Sequence, residues 1–428
     1  MYIKMKDKDE LTDRELRRKR RIRSQILAYA ILALLVIIIV VAAYFGAGKL
    51  ISSIKKYNEK VNDAIESAES SVANDLENDA SDSDTQGSDN IYDYADNDAL
   101  SDLVKSLVQD MTLEEKVAGM FIISPESITG VSTVIQAGEG TKNALAENPV
   151  GGFIYSANNY KSEEQFKEML SKTIEYSKYP MFLAVSQECG KDTGFGVGDT
   201  PTAMEISDTD SAVAAYTKIA QKLVSYGINM NLAPVSAVVS EDSGSELAGH
   251  TFGSDAATAS PLINASVKAM QDVELNAVLM KFPGANIENK SIEEFNNTDF
   301  VIYQSAISNG TDCIMVTNEK AKGITGDDTP ATLSSVVITD TLRNVLGFKG
   351  VVITDSLNSS AITAEYDAGS AAVAAVVAGA DMILEPEDYK KAYDGIIQAV
   401  ADGTITTERI DESVYRIYKV KYKNALEQ

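Results

Sequence analysis

Residues 350–360 read GVVITDSLNSS: four β-formers in succession (Val351, Val352, Ile353, Thr354), then a carboxylate, Asp355, then a polar turn. Apolar residues that run consecutively, instead of alternating with polar ones, belong to a strand buried on both faces. Seven other runs share this pattern: 117–124 (VAGMFIIS), 150–157 (VGGFIYSA), 180–188 (PMFLAVSQE), 228–238 (INMNLAPVSAV), 276–284 (NAVLMKFPG), 312–320 (DCIMVTNEK) and 381–388 (DMILEPED). Between them lie segments of helical period, such as SEEQFKEMLSKTIEYS and DTDSAVAAYTKIAQKLVSYG, and glycine often closes the helix before the next strand. Eight β-α units in series predict an α/β fold, a (β/α)8 TIM-type barrel, over residues 103–428, with Thr407–Lys423 as a closing helix.

The sequence before the barrel changes character three times. Residues 1–25 hold ten basic and five acidic side chains. Residues 26–48 open with the charge-free run ILAYAILALLVIIIVVAAYFGA, long enough to span a bilayer as a helix. The block RRKRRIR stands directly before it, so the positive-inside rule predicts a cytoplasmic N-terminal tail and an extracytoplasmic barrel at the cell membrane. Residues 49–102 are acidic and rich in Ser, Asn and Asp, the composition of a solvated stalk or linker.

Composition excludes several chemistries. The chain carries a formal net charge of −25 and one histidine. A single histidine rules out zinc or iron sites built on histidine clusters, and no metal or other cofactor is expected. The acidic balance argues against a nucleic-acid partner. The two cysteines fall at opposite ends of the expected barrel, Cys189 after the third strand and Cys313 at the start of the sixth, too far apart for a disulfide. Two free thiols are expected.

In a barrel of this kind the active site lies at the C-terminal ends of the strands. The polar residues there are Ser186, Gln187 and Glu188, Lys281, Asn318 and Glu319, Asp355, and Glu385. Several carboxylates around one mouth suit glycoside hydrolysis, which needs a nucleophile and a general acid flanking one bond. Each could equally cap a following helix or pair with a neighbouring lysine.

The segments LVQDMTLEEKVAGMFI (107–122), GGFIYSANN (151–159), LAVSQECG (183–190), INMNLAPV (228–235), KFPG (281–284), TPATLSS (329–335), LGFKGVVITDSLNSSAI (346–362) and AGADMILEP (378–386) follow in order. Together they resemble glycoside hydrolase family 3, in its compact single-barrel β-N-acetylhexosaminidase branch. The resemblance implies a retaining glycosidase acting on amino-sugar glycans related to peptidoglycan, with the aspartate of the V-I-T-D signature, Asp355, as nucleophile. It also implies substrate contacts from Ser186, Glu188, His250 and Lys281, at positions where the family binds sugar hydroxyls.

The pattern departs from the family in several places. The family's Lys-His pair before Phe-Pro-Gly reads Met280 and Lys281. Its sugar-binding aspartate reads Ser186, one glycine reads Cys189, and a further arginine reads His250. The His-Asp acid/base is missing from the loop Ala285-Asn286-Ile287-Glu288-Asn289-Lys290-Ser291, in which Glu288 is the nearest carboxylate to take its place. Glu293 and Glu294 are expected to open the next helix. Two readings follow: an anchored hydrolase with a substituted acid, or an inactive homologue that uses the mouth to bind a glycan or a protein. The first requires a carboxyl group about 5–5.5 Å from Asp355, or a histidine within reach. The sequence leaves the oligomeric state open.

Overall fold

The computed structural model describes residues 98–240, 245 and 247–423. The basic tail, the apolar run at 26–48 and the linker up to residue 97 lie outside the described residues. Among those described, no helix is long and apolar enough to cross a membrane.

The eight strands are β1 Phe121–Ile123, β2 Gly152–Ile154, β3 Phe182–Val185, β4 Met230–Asn231, β5 Asn276–Phe282, β6 Cys313–Val316, β7 Val351–Thr354 and β8 Ile383–Leu384. Each lies within one of the eight runs read from the sequence. All pair in parallel, in the order β7-β6-β5-β4-β3-β2-β1-β8, with helices between them. The strand residues of β1, β3, β6 and β7 are buried throughout, as consecutive apolar side chains require when helices cover one face and the barrel interior the other. The first run is cut short, because Val117–Gly119 end the helix Leu113–Gly119 instead of entering β1. The cause is local: Thr112 and Glu115 form a reciprocal capping box that starts this helix. Another helix, Ala99–Asp110, begins inside the segment read as linker, with Asp98 as its N-cap. Glu294 opens the helix Ile292–Asn297 in a capping box with Ser291, as expected, and the closing helix spans Thr407–Tyr422. Cys189 and Cys313 are free and buried.

Small residues let β2 pass close to its neighbours. A Cβ on Gly151 would stand 1.9 Å from the Gly119 carbonyl oxygen, so no larger residue fits without moving backbone.

The ring closes at the β7–β8 seam, where Ile353 bridges to Met382, the Thr354 N–H donates to the Met382 carbonyl at 3.0 Å and the Met382 N–H to the Val352 carbonyl at 3.0 Å. Asp381, fully buried, reinforces it. Its carboxylate accepts the Val352 N–H at 2.9 Å and pairs with Arg343 at 2.5 Å and Arg416 at 2.9 Å, while Arg409 stands at 3.7 Å. Ser413 donates a further hydrogen bond at 2.9 Å. Burial alone would raise the pKa of this carboxyl, but Arg343, Arg416 and Arg409 outweigh it and hold the group below the usual carboxylate range. One β7 backbone N–H and residues of the closing helix thus share one anion.

Lys421 has the opposite problem. Its Nζ is buried without a hydrogen-bond partner, over the rings of Tyr418 at 4.8 Å and Phe182 at 5.0 Å. Burial lowers its pKa to about 7.

Two stability predictions follow. Asp381→Ala leaves buried guanidinium charge uncompensated, and denaturant titration at neutral pH should show a loss of about 3–5 kcal/mol. Because the folded-state pKa of Asp381 is depressed, its contribution is present above the unfolded carboxylate pKa and lost as pH falls through the folded value. Lys421→Met should raise the thermal midpoint near pH 7. The wild-type lysine is penalised while it must carry its proton in the core, so the advantage should shrink as pH rises from about 7 toward the ordinary lysine pKa.

Candidate active site

The strand ends bring the nominated residues to one rim. β5 is the longest strand, and its register with β6 shifts between Leu279 and Phe282. Met280 leaves the β6 ladder and bridges instead to Val235, beyond β4, donating its N–H to the Pro234 carbonyl at 3.0 Å. Lys281 takes a positive φ of 77°, a strained conformation for a residue with a Cβ. A bulge of this kind re-aims a side chain. Here it sends the Lys281 ammonium to Asp355, with Nζ 3.1 Å from Oδ2. The other Asp355 oxygen accepts the Ser356 N–H at 2.9 Å. Both side chains are partly open to the mouth, at 22% exposure each. Asp355 therefore has two partners and a free approach.

The loop after β5 is fixed from below. Lys290 pairs at 2.6 Å with Asp299, which is fully buried and also accepts the Thr298 hydroxyl at 2.8 Å. Gly284 fits only as glycine, since a Cβ there would stand 2.1 Å from Asp299 Oδ1. On this loop Glu288 is exposed, and its carboxylate pairs with Lys322 at 3.3 Å. Lys322 in turn pairs with Asp328 at 2.8 Å.

A different carboxyl group shares the surroundings of Asp355. Glu319, at the end of β6, lies within electrostatic range of both Lys281 and Asp355, with the Ile287 backbone N–H as a hydrogen-bond donor. Glu319 is exposed, like Glu288, yet desolvation of its carboxyl raises its pKa above the ordinary glutamate value; Ile287 and Lys281 oppose the shift, and Asp355 adds to it. The strand-end pattern marks Glu319, but nothing in the sequence distinguishes it from Glu288.

On the β3 side, His250 Nδ1 donates to Glu188 Oε2 at 2.8 Å, so the single histidine is exposed and anchored to a carboxylate expected to touch substrate. Ser186 is exposed at the rim, its hydroxyl donating to the Leu232 carbonyl at 3.3 Å. Glu385, at the end of β8, accepts the Ser356 hydroxyl at 3.3 Å. Burial raises its carboxyl pKa too, with Glu126 adding to the effect. Glu126, after β1, is a rim carboxylate that strand patterning misses because it opens the short helix Glu126–Thr129. Thiol chemistry is absent from this rim: burial pushes the Cys189 thiol up to about 11, leaving it protonated at neutral pH.

Comparison with known proteins gives a consistent match. The Glycosyl hydrolase family 3 N terminal domain matches residues 112–420. A Beta-N-acetylglucosaminidase/beta-glucosidase of Cellulomonas fimi is 28% identical over 245 residues, covering 53% of this chain and 43% of that protein. The chain thus spans less than half the length of that relative. A Beta-hexosaminidase of Hydrogenovibrio crunogenus is 26% identical over 289 residues, 62% of this chain and 80% of its own. Among solved structures, a family 3 β-N-acetylglucosaminidase from Paenibacillus sp. superposes with a TM-score of 0.66 at 28% identity, over 74% of this chain and 64% of that one.

The rim electrostatics can be measured directly. Carbon-detected NMR titration should place the Glu319 midpoint above the ordinary glutamate value. Lys281→Met, which removes a charge favouring the ionised form, should move that midpoint further up. A Glu319 midpoint at the ordinary value, unmoved by Lys281→Met, would contradict this arrangement.

Proposed function

The chain belongs to glycosyl hydrolase family 3, and from that premise we propose that it is a retaining glycosidase acting on β-linked amino-sugar glycans. The observation that carries this reading is Asp355, paired with Lys281 at 3.1 Å and partly exposed at a strand end, with Glu319 within electrostatic range. Relatives named as β-hexosaminidases support the amino-sugar class.

The chemistry divides into two displacements. Asp355 attacks the anomeric carbon while Glu319 gives its proton to the departing glycosidic oxygen, leaving a glycosyl ester on Asp355. Glu319, now a carboxylate, takes a proton from water, and the resulting oxygen nucleophile displaces Asp355. The raised pKa of Glu319 suits the first step, since a general acid must hold its proton near the working pH. Lys281 pairs with the Asp355 carboxylate before attack and stands beside the carboxylate that re-forms on hydrolysis. In this reading Glu319 takes the acid role considered for Glu288, whose carboxylate is engaged with Lys322. Residues 26–48 would anchor the barrel on the outer face of the cell membrane.

One observation favours the second reading, a barrel that binds glycans without cleaving them. The Lys281–Asp355 pair occupies the nucleophile, and nothing requires the ammonium to release it. The two readings separate in one assay on the full-length protein with chromogenic β-glycosides of glucose, glucosamine and N-acetylglucosamine. The glycosidase reading expects Asp355→Asn to abolish measurable turnover. It expects Glu319→Gln to lower kcat about 10²–10⁴-fold, with less loss on aryl glycosides whose leaving groups need no proton. Sodium azide should partly rescue Glu319→Ala. Wild-type rates no higher than those of Asp355→Asn would overturn catalysis.

A further inference from the structure

The mouth contains a cavity of about 360 Å³ on its β8-β1-β2-β3 side, within the size range of small-ligand sites. It adjoins the proposed nucleophile through one residue: Ser356 donates its N–H to Asp355, and its hydroxyl is shared between Asn358 Oδ1 at 3.0 Å and Glu385 Oε2 at 3.3 Å, Glu385 lining the cavity. Tyr155 and Phe195 supply aromatic walls, and no lysine, arginine or histidine lines it.

The polar groups of this cavity are lopsided. Its side-chain donors are mostly spent. Both Asn159 Nδ2 protons are used, at 2.7 Å to Glu126 Oε1 and 2.8 Å to the Val134 carbonyl. The Ser186 hydroxyl donates to Leu232, Thr193 to Gln187 at 2.7 Å, Ser156 to Asn159 at 3.3 Å and Tyr155 to Thr173 at 3.4 Å. Ser124 is engaged with Ser127. The acceptors are not spent. Glu126 uses Oε1 for Asn159 and the Val134 N–H, both at 2.7 Å, and Glu385 uses Oε2 for Ser356. A carboxylate has about four lone-pair positions, so each retains capacity for a ligand donor. Glu385 is also held at a φ of +40°, an uncommon conformation for a residue with a Cβ, and such strain gathers where a side chain must be aimed.

An acetamido group brings a carbonyl oxygen that needs a donor, and a buried acceptor left without one is costly. A protonated amine brings three N–H groups and a positive charge, which match two carboxylates whose mutual repulsion it would relieve. Resting on the glycosidase reading above, we infer that Glu126 and Glu385 form a specificity subsite for the free ammonium group of a de-N-acetylated amino sugar, so that the preferred substrates are glucosamine-type rather than N-acetylglucosamine-type glycans. The raised carboxyl pKa of Glu385, to which Glu126 contributes, agrees with a site awaiting a cation. Ser186 stands in the same cavity where the family resemblance places a sugar-binding aspartate. The anionic contacts have moved around the rim, from β3 to β1 and β8.

The test uses the full-length protein and three probes, the methyl β-glycosides of glucosamine, N-acetylglucosamine and glucose, titrated calorimetrically at about pH 6.5, where the amine is protonated. The glucosaminide should bind at least tenfold more tightly than either of the others, and Glu126→Gln with Glu385→Gln should erase that advantage. Wild-type protein alone decides the ligand class, so the result stands even if the double variant fails to fold. Equal or tighter binding of the N-acetyl probe would overturn the subsite while leaving the glycosidase reading intact. An advantage that survives in a folded double variant would overturn the assignment to these two glutamates. If no probe binds and no chromogenic glycoside is cleaved, both readings fall together.

Discussion

Everything at the mouth depends on how the ring closes. At the β7–β8 junction backbone hydrogen bonds between Val352–Thr354 and Asp381–Met382 close the ring, and the buried Asp381 carboxylate adds to that seam by joining a β7 backbone N–H to three guanidinium groups. Such a charge is tolerable in the core only because it is paired and hydrogen-bonded on every side. The two strands meeting at this junction lead into Asp355 and Glu385, and Ser356 lies within hydrogen-bond distance of both carboxylates. The geometry of the proposed reaction centre is therefore set from the opposite end of the barrel.

The second constraint is the bulge in β5. A regular strand would keep Met280 and Lys281 in the β6 ladder, whereas the register shift moves Met280 to Val235 and turns Lys281 onto Asp355. The family resemblance puts a histidine at this position. A lysine does a different job there: its ammonium is a point charge that pairs with the Asp355 carboxylate at 3.1 Å. The missing acid function must then come from another group in the same field. Glu319, whose carboxyl pKa is raised by desolvation, is the group within range of Lys281 and Asp355 to which we assign that function.

Much of this was legible from the residues alone, and the limits are physical. Eight consecutive apolar runs located the strands because burial on both faces leaves a one-dimensional signature, and among the strand-end polar residues Asp355 was singled out by its resemblance to the family's V-I-T-D signature. Glu294 as a helix opener and the two free thiols were equally readable. The choice between Glu288 and Glu319 was not. It turns on which carboxylate meets Lys322 and which lies within electrostatic range of Lys281 and Asp355, and these interactions join residues far apart in the chain. Glu126 escaped notice because a carboxylate in the first turn of a helix is ordinary, and only the shared cavity sets it near Glu385. The start of the first strand was misplaced because a capping box at Thr112 outweighs the apolar character of Val117–Gly119.

The central claim is that Asp355 becomes covalently glycosylated. Its most direct test is intact-protein mass spectrometry after incubation with a fluorinated glycosyl fluoride, which slows hydrolysis of the ester, followed by peptide mapping. The account predicts a mass increase of one fluorosugar unit, located on the peptide that carries Asp355 and absent in Asp355→Asn. Turnover of the unfluorinated substrate with no adduct, or an adduct on Glu319 or another carboxylate, would contradict it.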